Sequence, residues 1–462
     1  MFRSISFMVL ALIAAPGAAL AAAPAFLVDS TDDAVDDNVN DTACHTAAST
    51  CTLRAAIMQA NRYAGSGNVA ITVPAGEYVL SIAKAGANGD DSGDLNLTAP
   101  PAGSSTISIS GAGAASTIID ADQIDRAFSI VGRTATISGV TVRNGHAGAG
   151  NGGAILNVGG LALTDAVVEF SQANFGGGIE NDGDMTVVNV VIKDNSATAG
   201  GGINNTGGVP WMLVSRSTIK SNTVIAYGGG IQNSNALTID RSTISANASN
   251  SGGGIYNVAN PATTATLTMT NSTVSDNHAN GYGGGIRTTG TGTTNIAIFS
   301  SSIIANEANA NLVSAGRGGG IYYGSTGATS LHNSLIAGNY LSGGSSYEDC
   351  FSPGTLISAY GLNLFSADPS AVCPFLNPSS VGSTTMTFVG PLQDNGGPTF
   401  THALHVGSNA IAAVTTANCT GSDALPVPAD QRGVARQADG FCDVGAFEYD
   451  LGRIFASGFD SP

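Results

Sequence analysis

Six charged side chains in the middle of the chain have the types and the spacing of a chemical site. They are Asp165, Glu169, Lys193, Arg216, Lys220 and Arg241. Carboxylates beside arginine suit a groove for an acidic glycan, because a guanidinium pairs with a carboxylate through two hydrogen bonds. A lyase at this place needs a base whose pKa is lowered by its surroundings. A hydrolase needs two carboxyl groups roughly 5–10 Å apart.

The spacing of these residues favours the alternative, a solvated face whose ion pairs contribute little each. Six residues before a recurring asparagine, or its equivalent Ser171, the chain holds Asp165, Asn189, Arg216, Arg241, Asn271, Ser300 and Asn333. Two residues before it, the chain holds Glu169, Lys193, Lys220, Ser245, Ser275 and Ile304. Neither set has carboxylates in successive repeats, so we expect no shared calcium ion and no paired acid and base in either set.

Oxygen-rich loops elsewhere are candidate calcium sites. One is formed by Asp90, Asp91 and Asp94 in the run D-D-S-G-D-L-N, and the other by the six aspartates between Asp29 and Asp41. Neither loop follows a known calcium-binding spacing. The sequence therefore predicts no cofactor, with calcium as the open alternative. A further acidic group at Glu180–Asp184 suits a cation or a turn equally well.

Four tyrosines flank glycine-rich corners, where their rings would be able to stack on sugars. They are Tyr227, Tyr256, Tyr282 and Tyr322. Trp211 is the only tryptophan of the chain, so the sequence does not predict an extended aromatic binding platform.

A repeat must position all of these side chains. A Gly-Gly-x-Ile element places isoleucine at positions 155, 179, 203, 231, 255, 286 and 321. Two residues after the first five isoleucines stand Asn157, Asn181, Asn205, Asn233 and Asn257. Each repeat alternates apolar and polar residues between glycine or asparagine corners, which is typical of short strands. One repeat cannot bury its own apolar face, so we predict stacked coils of an all-β, right-handed parallel β-helix with an asparagine ladder.

Composition and cysteine usage indicate an exported protein. The chain has 462 residues, a net charge of −17 and 11% charged residues, which disfavours nucleic acid as a partner. Residues 1–23 have a basic start, an apolar run and small residues, as in a cleaved signal peptide. No other segment is apolar for long enough to predict a membrane span. Pairing within local groups predicts three disulfides: Cys44 with Cys51, Cys350 with Cys373, and Cys419 with Cys442.

The motifs resemble known families. The glycine–isoleucine–asparagine cycles are similar to those of bacterial right-handed parallel β-helix proteins of the pectate-lyase-like superfold and to polymorphic surface proteins. Cys44–Asn61 resembles the CSLREA-type domain, from which Thr52 and Ala55 depart. The runs D-Q-R-G-V-A-R from Asp430 and C-D-V-G-A-F-E from Cys442 resemble the choice-of-anchor Q domain. In pectate-lyase-like enzymes this resemblance implies calcium held by aspartates, a basic catalytic residue and an acidic polysaccharide substrate.

These observations predict the organisation and role of the chain. We expect a signal peptide at 1–23, a CSLREA-like helical cap at 24–100, β-helix repeats at 101–345, a disulfide-bearing choice-of-anchor Q-like cap at 346–450 and a tail at 451–462. The expected function is a secreted or outer-surface, non-catalytic protein that is adhesin-like or structural. Its expected partners are extracellular glycans or surface components. The alternative is a polysaccharide lyase or glycoside hydrolase.

Overall fold

The computed structural model describes residues 22–449, except 86–88, 101, 208–210, 312–315, 342–345, 367–368, 370, 385, 423 and 437–439. Residues 1–21 of the predicted signal peptide and the predicted tail at 451–462 lie outside the described residues. The described chain folds as an all-β parallel solenoid, which confirms the predicted fold class.

Successive coils of the solenoid contribute strands to three large sheets. A 20-stranded sheet holds two strand positions per coil, and two of its strands are long enough to run through both. Its first position contains Leu95–Thr98, Phe128–Ser138, Ile155–Thr164, Ile179–Asn181, Ile203–Asn205, Ile231–Asn233, Ile255–Ala259, Ile286–Gly290, Ile321–Gly324 and Cys350–Phe351. Its second position contains parts of the two long strands and Ala25–Leu27, Asn68–Val73, Thr106–Gly111, Asp184–Val188, Trp211–Ser215, Ala236–Asp240, Thr264–Thr270, Thr293–Phe299, Thr329–His332 and Ser358–Tyr360.

The other two large sheets close each coil. A 12-stranded sheet contains Gly76–Val79, Thr117–Asp120, Thr141–Arg143, Val167–Glu169, Val191–Lys193, Thr218–Lys220, Thr243–Ser245, Thr273–Ser275, Ser302–Ile304, Leu335–Ala337, Asn363–Phe365 and Val381–Ser383. A seven-stranded sheet contains Ser196–Ala199, Thr223–Tyr227, Ala248–Ser249, His278–Ala279, Glu307–Ala308, Tyr340–Leu341 and Ser346–Tyr347. Two short antiparallel pairs follow, Val389–Gln393 with Thr401–Leu404 and Val414–Thr415 with Phe441–Cys442.

The repeated isoleucines form one inner stack, as the repeat predicts. Each pairs with its equivalent in the next coil, and Ile203, Ile231 and Ile255 are fully buried. Leu95 and Phe128 extend the stack at its beginning, which the Gly-Gly-x-Ile pattern does not reveal. Burial of apolar area in every coil makes this stack the main stabilising feature of the fold.

Two residues further on, the asparagines form a ladder of side chains inside the solenoid. The Nδ2 of Asn157 donates to Oδ1 of Asn181, and the same bond recurs to Asn205, Asn233 and Asn257 at 2.6–2.7 Å. Each amide thereby satisfies its neighbour in a place that water does not reach.

Corners between the sheets require left-handed backbone. At Gly252, which begins one glycine triplet, φ is +66° and a Cβ would lie 2.7 Å from the carbonyl oxygen of Ile255. Only glycine fits this corner without strain. The corners before the 12-stranded sheet also have positive φ, although they carry side chains, including Asn189 at +57° and Arg216 at +49°.

The predicted N-terminal helix is helix α1, Leu53–Arg62, which packs against Asn68–Val73 and Leu95–Thr98. The Oγ1 of Thr52 accepts a hydrogen bond from the Ala55 amide and caps the helix. The predicted apolar side of the helix is buried in the solenoid core, at Leu53, Ala56, Ile57 and Ala60. Arg54 is also buried, and its Nε lies 2.6 Å from Asp33 Oδ1.

The C-terminal segment, residues 389–449, lies along the flank of the solenoid and covers the later strands of the 12-stranded sheet, from Thr243–Ser245 to Leu335–Ala337. Gln431 donates to Thr243 Oγ1 at 2.8 Å and accepts from Thr273 Oγ1 at 2.7 Å. Further along, His402 Nε2 lies 2.8 Å from Ser275 Oγ. A second apolar core forms beneath the segment, between Ile304, Leu335, Leu404 and Val444, among others. The three predicted disulfides are present, and two of them lie in the C-terminal part of the chain.

Candidate functional site

The six charged residues lie on or beside one flank. Glu169, Lys193 and Lys220 occupy the same position on successive strands of the 12-stranded sheet, followed by Ser245, Ser275 and Ile304. We call the row formed by Glu169, Lys193, Lys220, Ser245, Ser275 and Ile304 the flank row. The last three are buried under the C-terminal segment, so the row is accessible only in its first half.

Lys193 is the centre of the accessible half. Its Nζ lies 2.6 Å from Glu169 Oε2 and 3.2 Å from Asp194 Oδ2. The hydrogen bond to Glu169 raises the pKa of Lys193, whereas a lyase base needs a lowered pKa. The ammonium group also fills the space between two carboxylates in which a hydrolase would hold water or a glycosidic oxygen.

Asp165, Arg216 and Arg241 stand at left-handed corners beside the row. Asp165 accepts a hydrogen bond from the side chain of Asn189, and Arg241 Nε lies 2.9 Å from Asp240 Oδ2. Arg241 also lines a cavity of about 290 Å³ beside Pro426 and Val427 of the C-terminal segment. Among the described residues, the side chain of Arg216 has neither a hydrogen bond nor an ion pair. The structure therefore brings the six residues to one flank, but not around one point.

The candidate calcium residues form hydrogen bonds with nearby parts of the chain. Asp94 is buried and accepts hydrogen bonds from Asn96 Nδ2 at 2.9 Å and from Ser129 Oγ at 2.6 Å. Asp90 accepts from Asn61 Nδ2 at 3.2 Å, and Asp91 lies beside Ser92. These bonds join the acidic loop to helix α1 and to the first coils.

In the part of the chain that the structure describes, one group of three potential metal ligands converges. It consists of Asp37, Asp41 and His45, whose ligand atoms lie within 4.8 Å of one another. Both ring nitrogens of His45 face a carboxylate, at 2.5 Å from Asp37 and 3.1 Å from Asp41. The group is mostly exposed, and its internal ion pairs account for its geometry.

A different row stands out on the other side of the coil. In each strand at the first position of the 20-stranded sheet, the residue after the buried member of the inner stack has a side chain that points away from the core. Strand register aligns these residues into what we call the outer column: Asn96, Ser129, Leu156, Glu180, Asn204, Gln232, Tyr256, Arg287, Tyr322 and Phe351.

Five aromatic rings and two arginines form a strip. They come from the outer column and from the residues that precede the glycine triplets. We call it the aromatic strip, and it consists of Tyr227, Tyr256, Tyr282, Arg287, Arg317, Tyr322 and Phe351. The rings of Tyr227 and Tyr256 stack with centroids 4.7 Å apart and planes at 15°. Tyr322 lies 4.8 Å from Tyr282 and 5.6 Å from Phe351. Tyr227 is 42% exposed, whereas Tyr256, against which it stacks, is 7% exposed.

Arg287 lies inside this strip. Its guanidinium carbon is 5.1 Å from the ring centroid of Tyr282, 5.5 Å from that of Tyr256 and 5.6 Å from that of Tyr322. Nη1 donates to Ser251 Oγ at 2.7 Å. Within the described ranges, no carboxylate lies within ion-pair distance of this guanidinium, whereas Arg317 pairs with Glu348 at 2.6 Å.

Several buried polar atoms of the outer column lack a hydrogen-bond partner within the described residues. They are Oδ1 of Asn204, Oε1 of Gln232 and Nε of Arg287. A buried polar group without a partner costs about 1–3 kcal/mol. Buried atoms without a partner also occur elsewhere in the described chain, for example Nε of Arg133 and Nε of Arg436.

The outer column is acidic toward the N-terminus. Glu180 is 2% exposed, accepts two hydrogen bonds from Asn204 Nδ2 at 2.9–3.0 Å, and lies 2.9 Å from Thr206 Oγ1. The same hydroxyl lies 2.8 Å from Asp182 Oδ1. Because one hydroxyl proton cannot serve two carboxylates, this geometry favours a proton on one of them. Burial raises the pKa of Glu180 to about 7.

Sequence reasoning found the tyrosines of the strip but not the strip itself. It counted one tryptophan and did not predict an aromatic platform. The missing element was Arg287, whose equivalents in neighbouring repeats are tyrosines. The usable signal was the residue that follows the repeated isoleucine, or its equivalent Cys350, which is aromatic or cationic in the last four coils of the outer column.

Comparison of the chain with protein-family models, with curated proteins and with solved structures finds no match. The family assignment of the two end motifs therefore stays a prediction. Within the described residues, no helix combines the length and the apolar character needed to cross a bilayer.

Proposed function

We propose that the protein is exported and acts outside the cell or at its surface as a non-catalytic glycan-binding module. The aromatic strip is the observation that carries this proposal. Ring faces offer apolar area to sugar rings, and adjacent coils repeat about every 4.8 Å, a distance comparable to the length of one sugar residue.

The flank row supports the non-catalytic part of the proposal. Lys193 bridges Glu169 and Asp194, and the other half of the row lies under the C-terminal segment. Export itself is inferred from the signal-peptide pattern and the three disulfides, which persist in oxidising compartments.

We also propose that the ends are a CSLREA-type and a choice-of-anchor Q-type domain. The first motif supplies helix α1. The two C-terminal motifs hold each other, since Arg436 of the first lies 2.8 Å from Glu448 of the second. Arg432 and Asp430 form a buried ion pair at 2.7 Å, consistent with a structural role for this motif.

The test is binding of the purified mature protein to a panel of immobilised neutral and acidic polysaccharides. Tyr227→Ala should weaken binding, because it removes the exposed ring face. Phe170→Ala is the matched control, since this exposed ring lies on the flank. Equal losses in both variants, or no binding to any polysaccharide, would contradict the proposal.

The same incubations test the alternative function. A lyase would release new unsaturated ends and a hydrolase new reducing ends. Appearance of either product would overturn the non-catalytic proposal. Loss of that product in Arg216→Ala would assign the reaction to the flank.

A further inference from the structure

We propose that the aromatic strip selects acidic glycans over neutral ones, with one anionic group of the ligand held by Arg287. This inference rests on the proposed glycan binding and adds the class of the ligand. It follows from the distribution of charge along the outer column.

Arg287 provides the cation. The three ring centroids lie 5.1–5.6 Å from the guanidinium carbon, and each ring stabilises the cation by about 2 kcal/mol or less. The rings do not neutralise its charge. The described chain gives this guanidinium one hydrogen bond, to Ser251, although it has five donors. A carboxylate or sulfate on a ligand would supply the missing acceptors and the missing charge.

Arg317 differs from Arg287 at the next step of the strip. It lies 4.0 Å from the ring centroid of Phe351, yet Glu348 pairs with it at 2.6 Å. Its charge is already balanced within the chain. The strip therefore contains one arginine that is available to an anion and one that is not.

The remainder of the outer column offers no second cation. Beyond Tyr256 lie Gln232 and Asn204, two uncharged amides with unpartnered oxygens. Glu180 follows four coils from Arg287, about 19 Å away at the usual strand spacing, and Asp182 stands beside it. Arg287 is therefore the position in the outer column that attracts an anionic group of a ligand.

The experiment compares oligosaccharide fragments by calorimetry at low and at physiological salt. The probes are fragments of hyaluronan, where every second sugar carries a carboxylate, of gellan, where every fourth does, and of polygalacturonate, where every sugar does. Dextran and dextran sulfate are included to separate neutral and sulfated ligands. We expect an acidic fragment to bind at least about tenfold more tightly than its carboxyl methyl ester.

Two arginine variants decide the role of Arg287. Arg287→Gln should abolish the preference for the free acid over its ester, and Arg287→Lys should restore part of it because the charge returns. Arg317→Gln should leave the preference intact. Circular dichroism checks that each variant is folded.

The outcomes separate this inference from the proposed function. If fragments bind but the ester binds equally well, or if Arg287→Gln keeps the preference, the inference is wrong and glycan binding stands. Binding of dextran as tight as that of the acidic fragments would likewise refute the inference. Failure of all five probes to bind would contradict both proposals.

Discussion

The flank row and the outer column run in parallel along the same solenoid, yet their polar groups are satisfied differently. On the flank, the Lys193 ammonium forms ion pairs with Glu169 and Asp194. Further along, the Gln431 side chain forms hydrogen bonds with Thr243 and Thr273. In the outer column, Asn204, Gln232 and Arg287 retain atoms that no described residue satisfies. The covered flank also contains such an atom, Nε of Arg436, so the clearest difference is one of charge. Lys193 and Arg436 of the flank pair with carboxylates, whereas Arg287 of the outer column has no carboxylate partner within the described residues.

The largest expected effect contrasts two arginines, one in each region. Arg436, under the covered flank, has a fully buried side chain that pairs with Glu448 at 2.8 Å and donates to Asn271 and Gly445. Arg436→Met should lower the free energy of unfolding by about 3–5 kcal/mol, because it leaves a buried carboxylate unpaired. Arg287→Met should cost about 1 kcal/mol, since it removes ring contacts but breaks no ion pair. Urea unfolding followed by circular dichroism measures the free energy of unfolding of both variants. Equal losses would contradict the expected difference between the two regions.

Glu180 provides the next largest effect, through pH. Its pKa in the folded protein is about 7, against an ordinary value of 4.5, because burial penalises the carboxylate. The stability that its protonated form contributes is therefore fully present below pH 4.5 and is lost as the pH rises through 7. Over that range the loss is about 3 kcal/mol.

Glu180→Gln isolates this contribution, because the neutral amide imitates the protonated acid. Relative to the wild type, the variant should gain stability steadily between pH 4.5 and pH 8. Urea midpoints across this range give the difference. A difference that stays constant with pH would mean that Glu180 does not titrate there.

The fold followed from the sequence because its cause is local and repeated. Ile203, Ile231 and Ile255 recur with glycine and asparagine at fixed offsets, and stacking is the one arrangement that buries all three. The path of the C-terminal segment had no such signal. Gln431 meets Thr243 across 188 residues, and a contact of that kind depends on three-dimensional packing that has no period.

The candidate site was predicted in part for the same reason. Register alone aligned Glu169 with Lys193 and Lys220, and the structure has them on successive strands. Whether a charged side chain forms an ion pair depends on residues outside the repeat. Glu348 pairs with Arg317, while Arg287 has no carboxylate neighbour among the described residues. The spacing of a repeat predicts which side chains are neighbours, but not which of them remain without a partner.

A smaller effect is expected from the exposed half of the flank row. Lys193→Ala should cost about 1 kcal/mol or less, because its ion pairs are partly open to water, and the cost should shrink in high salt. Lys220→Ala is the control, since Lys220 has no ion pair among the described residues. A loss above about 3 kcal/mol for Lys193→Ala would show that the exposed flank is as important for stability as the covered one.

The smallest effect tests whether Arg216 has any role beyond its corner. Its φ of +49° is unfavourable for an arginine, and asparagine already occupies the equivalent corner at position 189. Since the exposed guanidinium has no partner within the described ranges, Arg216→Asn should raise the free energy of unfolding by about 0.5–1 kcal/mol. Arg241→Asn should gain less, because the same relief of strain is offset by loss of the contact with Asp240. If Arg216→Asn instead lowers stability or glycan binding, the guanidinium makes an interaction that the flank needs. The contrast between the flank and the outer column would then not hold.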